Sequence, residues 1–335
     1  MNIIYYSQLD EPSLEKITKD VQEKNPNTIV LLCETEWDSR ELTPELAELL
    51  NQNNIHLIVT FCSYPDSYYE EKTKYFKSIE LVHWGTYWVH WTHMCSSQLN
   101  FDITYEKFKY PYICLNNKNH KHRCALVDNL AGNNLLDSGI VTWHRFPNTQ
   151  WTSKHVYDFK YFDDELRLLK DDFVTKLDSF LIAPEYHQSF LHVIGEATTS
   201  VTCISEKTWL PILYRKPFII MSNQYFHQKL IDLGFELYDE IIDYSFDSEP
   251  DMEKRAYLIS KNVKKICEQD VNELYKIIKP KADRNYNNYM KILESGKYIP
   301  KVIVDRAKMV YHGCTDKTFT DNRYVHICNT ARIVL

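Results

Sequence analysis

The stretch Val201–Ser222, VTCISEKTWLPILYRKPFIIMS, changes its period twice. A β-branched run from Val201 ends at Ser205. The charged pair Glu206-Lys207 follows, then an apolar segment of helical character, then a second hydrophobic run opened by Lys216-Pro217. Serine is a favoured N-cap, so a helix is expected to begin with Glu206 and Lys207 in its first turn. Strand, helix and strand in this order build a parallel α/β sheet. A helix that starts where a strand ends lies at the edge where open α/β sheets bind ligands. Pro211 removes one backbone hydrogen bond, so the helix is expected to be short or bent.

The alternation extends outwards in both directions. In the first third NIIYYS, TIVLLCE and IHLIVTFCS read as strands, separated by the amphipathic stretches PSLEKITKDVQEK and TPELAELLNQNN. IELVHWGTYWVHWTHM is dense in aromatics and reads as strand plus loop. The pattern restarts with a strand at Tyr112–Leu115, a helix from Lys121 to near Leu130 and a strand in SGIVTWH. FLHVIGEAT, PFIIM, the helix NQYFHQKLIDLG and FELY continue it. Asp251 to Ser295 carries apolar residues at helical spacing, among them Ile259, Val263, Ile266, Leu274 and Ile278. Two α/β units in series are therefore expected, residues 1–109 and 110–300, with 301–335 a tail that can pack back on the first.

At 335 residues the chain is long enough for two cores. With 44% hydrophobic and 25% charged residues it has a soluble globular composition. No run approaches the roughly 20 apolar residues of a membrane span, and MNIIYYSQLDEPS is no cationic and apolar leader, so a cytoplasmic protein without a span is expected. The nine cysteines stand singly, without a Cys-x-x-Cys pair, which favours reduced thiols. A net charge of −7 gives no general attraction to nucleic acid. The seven glycines form neither Gly-x-Gly-x-x-Gly nor a phosphate loop ending in Gly-Lys-Ser/Thr, which argues against common dinucleotide oxidoreductases and P-loop NTPases. His83, His90, His93, His120 and His122 lack the spacing of a zinc site, and no metal site is expected. Trp84, Tyr87, Trp88 and Trp91 read mainly as core, with stacking on a sugar the alternative.

A helix N-terminus offers unpaired N–H groups and partial positive charge, which suit a phosphate. Lys207 adds a full charge there, and Glu206 is placed to accept hydrogen bonds from ribose hydroxyls. On spacing alone, an acidic residue favoured by the helix dipole and a solvated lysine fit equally well. Arg123, early in the helix that follows LNNKNHKH, offers the fork geometry that clamps a diphosphate, although an exposed ion pair would use it too.

Taken together, NNKNHKHRCALVDNLAGNNLLDSG and FLHVIGEATTSVTCISEKTWLPILYRKPFIIMS resemble the α-1,3-fucosyltransferase family and related virus-type glycosyltransferases. The likeness covers Cys114 to Gly234 and is most specific at the Glu-Lys helix start. It implies an α/β fold of the GT-B type, two Rossmann-like domains facing a cleft, the C-terminal one holding a nucleotide-sugar. It further implies that Arg123 and Lys207 contact the donor diphosphate and Glu206 the ribose, with Ser205 at the helix start and Glu196 lining the same site. The family's catalytic carboxylate sits in a Gly-Glu-Asn context that is absent here. The nearest candidates for the base are Glu34 and Glu36 in LLCETEWDSR.

No Asp-x-Asp motif occurs, so the expected transferase is metal-independent and needs no cofactor beyond its donor substrate. A carboxylate would take a proton from a hydroxyl of a glycan or saccharide acceptor, while cationic side chains neutralise the departing nucleoside diphosphate, GDP-linked donors being favoured by the resemblance. Two rival readings stand beside it. A transferase acting on a modified base in DNA needs a basic groove, and the only local basic cluster, KFKYPYICLNNKNHKHR, overlaps the donor site. A non-catalytic binding or assembly protein of the same fold would explain the missing Gly-Glu-Asn context.

Overall fold

The computed structural model describes residues 2–7, 12–32, 42–62, 71, 73–96, 98–105, 107–143, 159–162, 165, 166, 168, 180–312 and 323–335. Its contacts divide the chain into two compact units. One comprises Met1–His90, Val201–Ile204 and Ile292–Leu335, the other Trp91–Ser200 and Ser205–Lys291. The division thus falls at His90 and Lys291, where the sequence suggested Lys109 and Pro300.

Among the described residues the first unit carries four strands, β1 (Ile3–Ser7), β2 (Thr28–Leu32), β3 (His56–Phe61) and β4 (Ile79–His83), all parallel and in sequence order. Helices Leu14–Lys24 and Pro44–Gln52 make the first two crossovers, each opened by a hydroxyl cap: Ser13 Oγ accepts from the Lys16 amide and Thr43 Oγ1 from the Leu46 amide, both at 3.2 Å. Their apolar stripes, Ile17 and Val21 on one and Leu46 and Leu50 on the other, join Ile29, Leu31, Leu57 and Val59 in one core. That is the outcome of right-handed crossovers that all step the same way. The tail forms helices Lys301–Tyr311 and Arg323–Thr330, which pack on each other. The Arg306 guanidinium lies 4.9 Å from the Tyr5 ring centroid. Tyr87–Cys95, read from sequence as loop, is a helix. Trp, Tyr, His and Val occupy it nearly all round, so it carries no 3.6-residue period to detect.

The second unit carries β5 (Tyr110–Cys114), β6 (Ile140–Trp143), β7 (Tyr161–Phe162), β8 (Ser189–Gly195) and β9 (Phe218–Met221), parallel in the order β7-β6-β5-β8-β9. The chain begins at the centre of this sheet, runs to one edge and then returns to build the other half. This is the doubly wound, Rossmann-like order, and its direction reverses between β5 and β8. Every residue of β8 and β9 is buried, as parallel strands covered on both faces require. Helices Lys121–Gly132 and Met252–Cys267 pack against each other.

Two sequence expectations are corrected here. The strand before the Glu206–Leu213 helix ends at Gly195, and Val201–Ile204 is connecting chain with buried side chains. FELY forms no strand: Phe235 and Tyr238 bury their rings from an irregular segment, so the apolar pattern reports burial and not pairing. The helix itself is short, ending two residues after Pro211, where Arg215 adopts φ 53° and the Lys216 amide donates to the Pro211 carbonyl at 2.8 Å. No helix among the described residues is long and apolar enough to cross a membrane.

Candidate functional site

The sheet of the second unit reverses direction between β5 and β8, and a cleft opens beyond the carboxyl ends of its strands. It encloses about 360 Å³, open mouth included; Asn116, Asn117, Thr142, Glu206 and Lys207 form its polar lining, and leucines the rest. Asn116 follows β5 directly. Its amide donates to Thr142 Oγ1 at 2.8 Å, which ties the strand end to β6. The side chain is fully buried, and its Oδ1 has no hydrogen-bond partner among the described residues.

Glu206 and Lys207 reach the cleft because of what lies behind them. Ser205 caps the helix, its Oγ accepting from the Lys207 amide at 3.4 Å. The Ser205 hydroxyl donates to Glu196 Oε2 at 2.6 Å, so its remaining lone pairs point elsewhere, and Lys207 Nζ donates to it at 3.2 Å. Lys207 Nζ also donates to Glu206 Oε1 at 2.8 Å, with the two side chains 19% and 3% exposed. An ammonium and a carboxylate thus stand side by side on one helical turn, held from below by a serine.

Glu196 is completely buried at the first position after β8. Its carboxylate accepts from the Ala197 amide (3.0 Å), the Ser205 amide (3.1 Å), the Ser205 hydroxyl and the Thr208 hydroxyl (2.8 Å). Its backbone carbonyl accepts from His122 Nε2 at 2.6 Å and from an Arg123 terminal nitrogen at 3.0 Å. Arg123 Nε donates to the Gly195 carbonyl at 3.1 Å, and its other terminal nitrogen to the Lys118 carbonyl at 3.4 Å. Gly195 is glycine for this reason: a Cβ there would come within 2.6 Å of Arg123 Cγ. Burial, with the Arg123 charge beside it, pushes the His122 pKa down to about 3, so the imidazole is neutral and donates from Nε2.

Of the residues singled out from sequence, Glu206 and Lys207 line the cleft, and Ser205 supports them. Glu196 is not a lining residue; it fastens the helix start from behind. Arg123, expected at a diphosphate, is 3% exposed, spends its guanidinium on backbone carbonyls and is also absent from the lining. Glu34 and Glu36 lie outside the described residues. Asn116, Thr142 and the buried Lys216 were missed by sequence reasoning. For Asn116 the signal was present, a polar pair straight after a strand; for the other two nothing local marks them. No cluster of three or more metal-ligating side chains occurs among the described residues.

No protein-family model, curated protein or solved structure matches this chain.

Proposed function

We propose that this chain is an inverting, metal-independent glycosyltransferase of the two-domain GT-B type, which binds a nucleotide-sugar in the cleft of its second unit and transfers the sugar to a hydroxyl of a glycan or similar acceptor. One observation carries the reading: the Glu206-Lys207 pair, on a capped helix start, faces a cleft at the point where a doubly wound sheet reverses. Sheets of this kind bind ligands there. The pair offers what such a ligand presents, a cation for the diphosphate and a carboxylate for ribose hydroxyls. The resemblance of the Ser-Glu-Lys and Lys-Pro-Phe segments to fucosyltransferases supports the same chemistry and favours a GDP-linked donor.

In this reading Lys207 neutralises the leaving diphosphate. Arg123 acts one layer behind, locking the carbonyls after β8 so that Glu196 can hold the helix start. Glu34 or Glu36 would be the general base that takes the acceptor proton. Such a base contributes typically about 10²–10⁴-fold. The test is a panel of UDP-, GDP-, ADP- and CMP-linked sugars, scored first for thermal stabilisation and then for transfer. Lys207→Ala should weaken a nucleoside diphosphate by roughly 10–100-fold while barely affecting the nucleoside. An equal loss for both would remove the phosphate role.

A further inference from the structure

The ion pair that lines the cleft also constrains what can enter it. Side chains of adjacent helical residues normally point apart. Here Lys207 Nζ turns back to reach Glu206 Oε1 at 2.8 Å and Ser205 Oγ at 3.2 Å. The Ser205 hydroxyl has its proton committed to Glu196, so it meets the ammonium as an acceptor. Glu206 is 2% exposed, and among the described residues Lys207 is the only hydrogen-bond partner of its carboxylate. The other residues that line the cleft are two asparagines, a threonine and leucines, so among the described residues no third charged side chain there can take over either role.

A buried carboxylate with a single cationic partner does not release it freely. If Lys207 turns to an anion that brings nothing else, Glu206 is left buried without a donor, and its charge stands a few ångströms from the newcomer in a largely shielded setting, where like charges repel strongly. Hydroxyl groups alone fare no better, because they bring nothing that draws the ammonium away. A ligand that carries both, an anion for Lys207 and hydroxyl donors for Glu206, exchanges one set of partners for another and leaves neither residue unpaired.

We infer that the Glu206–Lys207 pair is a two-part lock, which opens to a ligand carrying a diphosphate and hydroxyls in one molecule and discriminates against inorganic diphosphate. The inference rests on the nucleotide-sugar reading and adds a selection rule to it. Calorimetric titration of the intact protein with inorganic pyrophosphate, GDP, UDP and ADP tests it. The wild type should bind its best nucleoside diphosphate at least roughly tenfold more tightly than pyrophosphate. Glu206→Gln keeps the length of the side chain and still accepts from a hydroxyl, but removes the charge. It should tighten pyrophosphate roughly three- to thirtyfold while the nucleoside diphosphate gains less, so that the preference between them shrinks. Glu268→Gln, the same change of charge at the exposed C-cap of the Met252–Cys267 helix, should leave both affinities as they are. Pyrophosphate bound by Glu206→Gln no more tightly than by the wild type, or tightened as much by Glu268→Gln, overturns the lock. If nucleoside diphosphates still bind in that case, the nucleotide-sugar reading stands without it. If neither the wild type nor Glu206→Gln binds pyrophosphate or any nucleoside diphosphate, both fall together.

Discussion

Glu196 accepts four hydrogen bonds through the two oxygens of its buried carboxylate. Glutamine in its place keeps the shape but turns an NH₂ towards at least one of those donors, so two donors face each other at a fully buried position. We expect Glu196→Gln to destabilise the protein by about 1–3 kcal/mol in urea titrations, the usual cost of a buried polar group left unsatisfied. A loss below about 0.5 kcal/mol, the level of an ordinary surface substitution, would mean that the carboxylate does not anchor the helix. The same residue shows what sequence could and could not reveal about the site. The Ser205 cap and the Glu-Lys start were legible because a cap is written within three residues. That Glu196 and Arg123 hold that start from behind was not legible. Their partners lie up to seventy-four residues away, and no local pattern fixes where a guanidinium will find its carbonyls.

At the scale of elements, the strands were legible where β-branched runs stand between polar turns, as in β2, β3, β8 and β9. The order of strands was not, because it depends on which strands pair. Lys216 is part of that unread information. It sits before β9, yet its ammonium donates to the carbonyls of Tyr186 (3.1 Å), His187 (2.7 Å) and Ser189, fastening the Pro184–Gln188 turn to the start of β8. The Tyr105 and Phe108 rings cover it at 4.3 and 4.8 Å. Burial pulls its pKa well below the ordinary lysine value, and three acceptors work against that. Lys216→Met keeps the stem and the ring packing but strips three carbonyls of their donor. We expect a loss of about 2–3 kcal/mol, because the desolvation relieved by removing a buried charge offsets part of the broken bonding. Urea titration measures it; a variant as stable as the parent would show that the bonds only match their desolvation cost.

At the scale of the whole molecule, the two units differ in the groups that titrate. Burial lowers the pKa of His93, His122, His187 and His192, all in the second unit, and His122 falls to about 3 from an ordinary 6.5. A histidine lowered by folding binds its proton in the unfolded chain first, so stability is complete above about pH 6.5 and declines as the pH falls from there. His122 alone should cost on the order of 1 kcal/mol for each pH unit below about 6.5, down towards its own folded value. Among the described residues of the first unit, the groups lowered are carboxylates, Asp20 and Glu45. Asp20 is desolvated, which raises its pKa, but hydrogen bonds from Lys24 and Tyr6 outweigh that and bring it below 3.8. Its contribution is present above about pH 4 and is lost only as the pH falls through the folded value. Acid should therefore loosen the second unit before the first. Hydrogen exchange followed by mass spectrometry between pH 7 and 5, corrected for the intrinsic rate, should show β8 and β9 amides losing protection while β1 to β3 keep theirs. His122→Gln, which can still donate to the Glu196 carbonyl but does not titrate, should reduce that loss. Equal loss of protection in both units across this range would mean that the buried histidines do not set the acid limit.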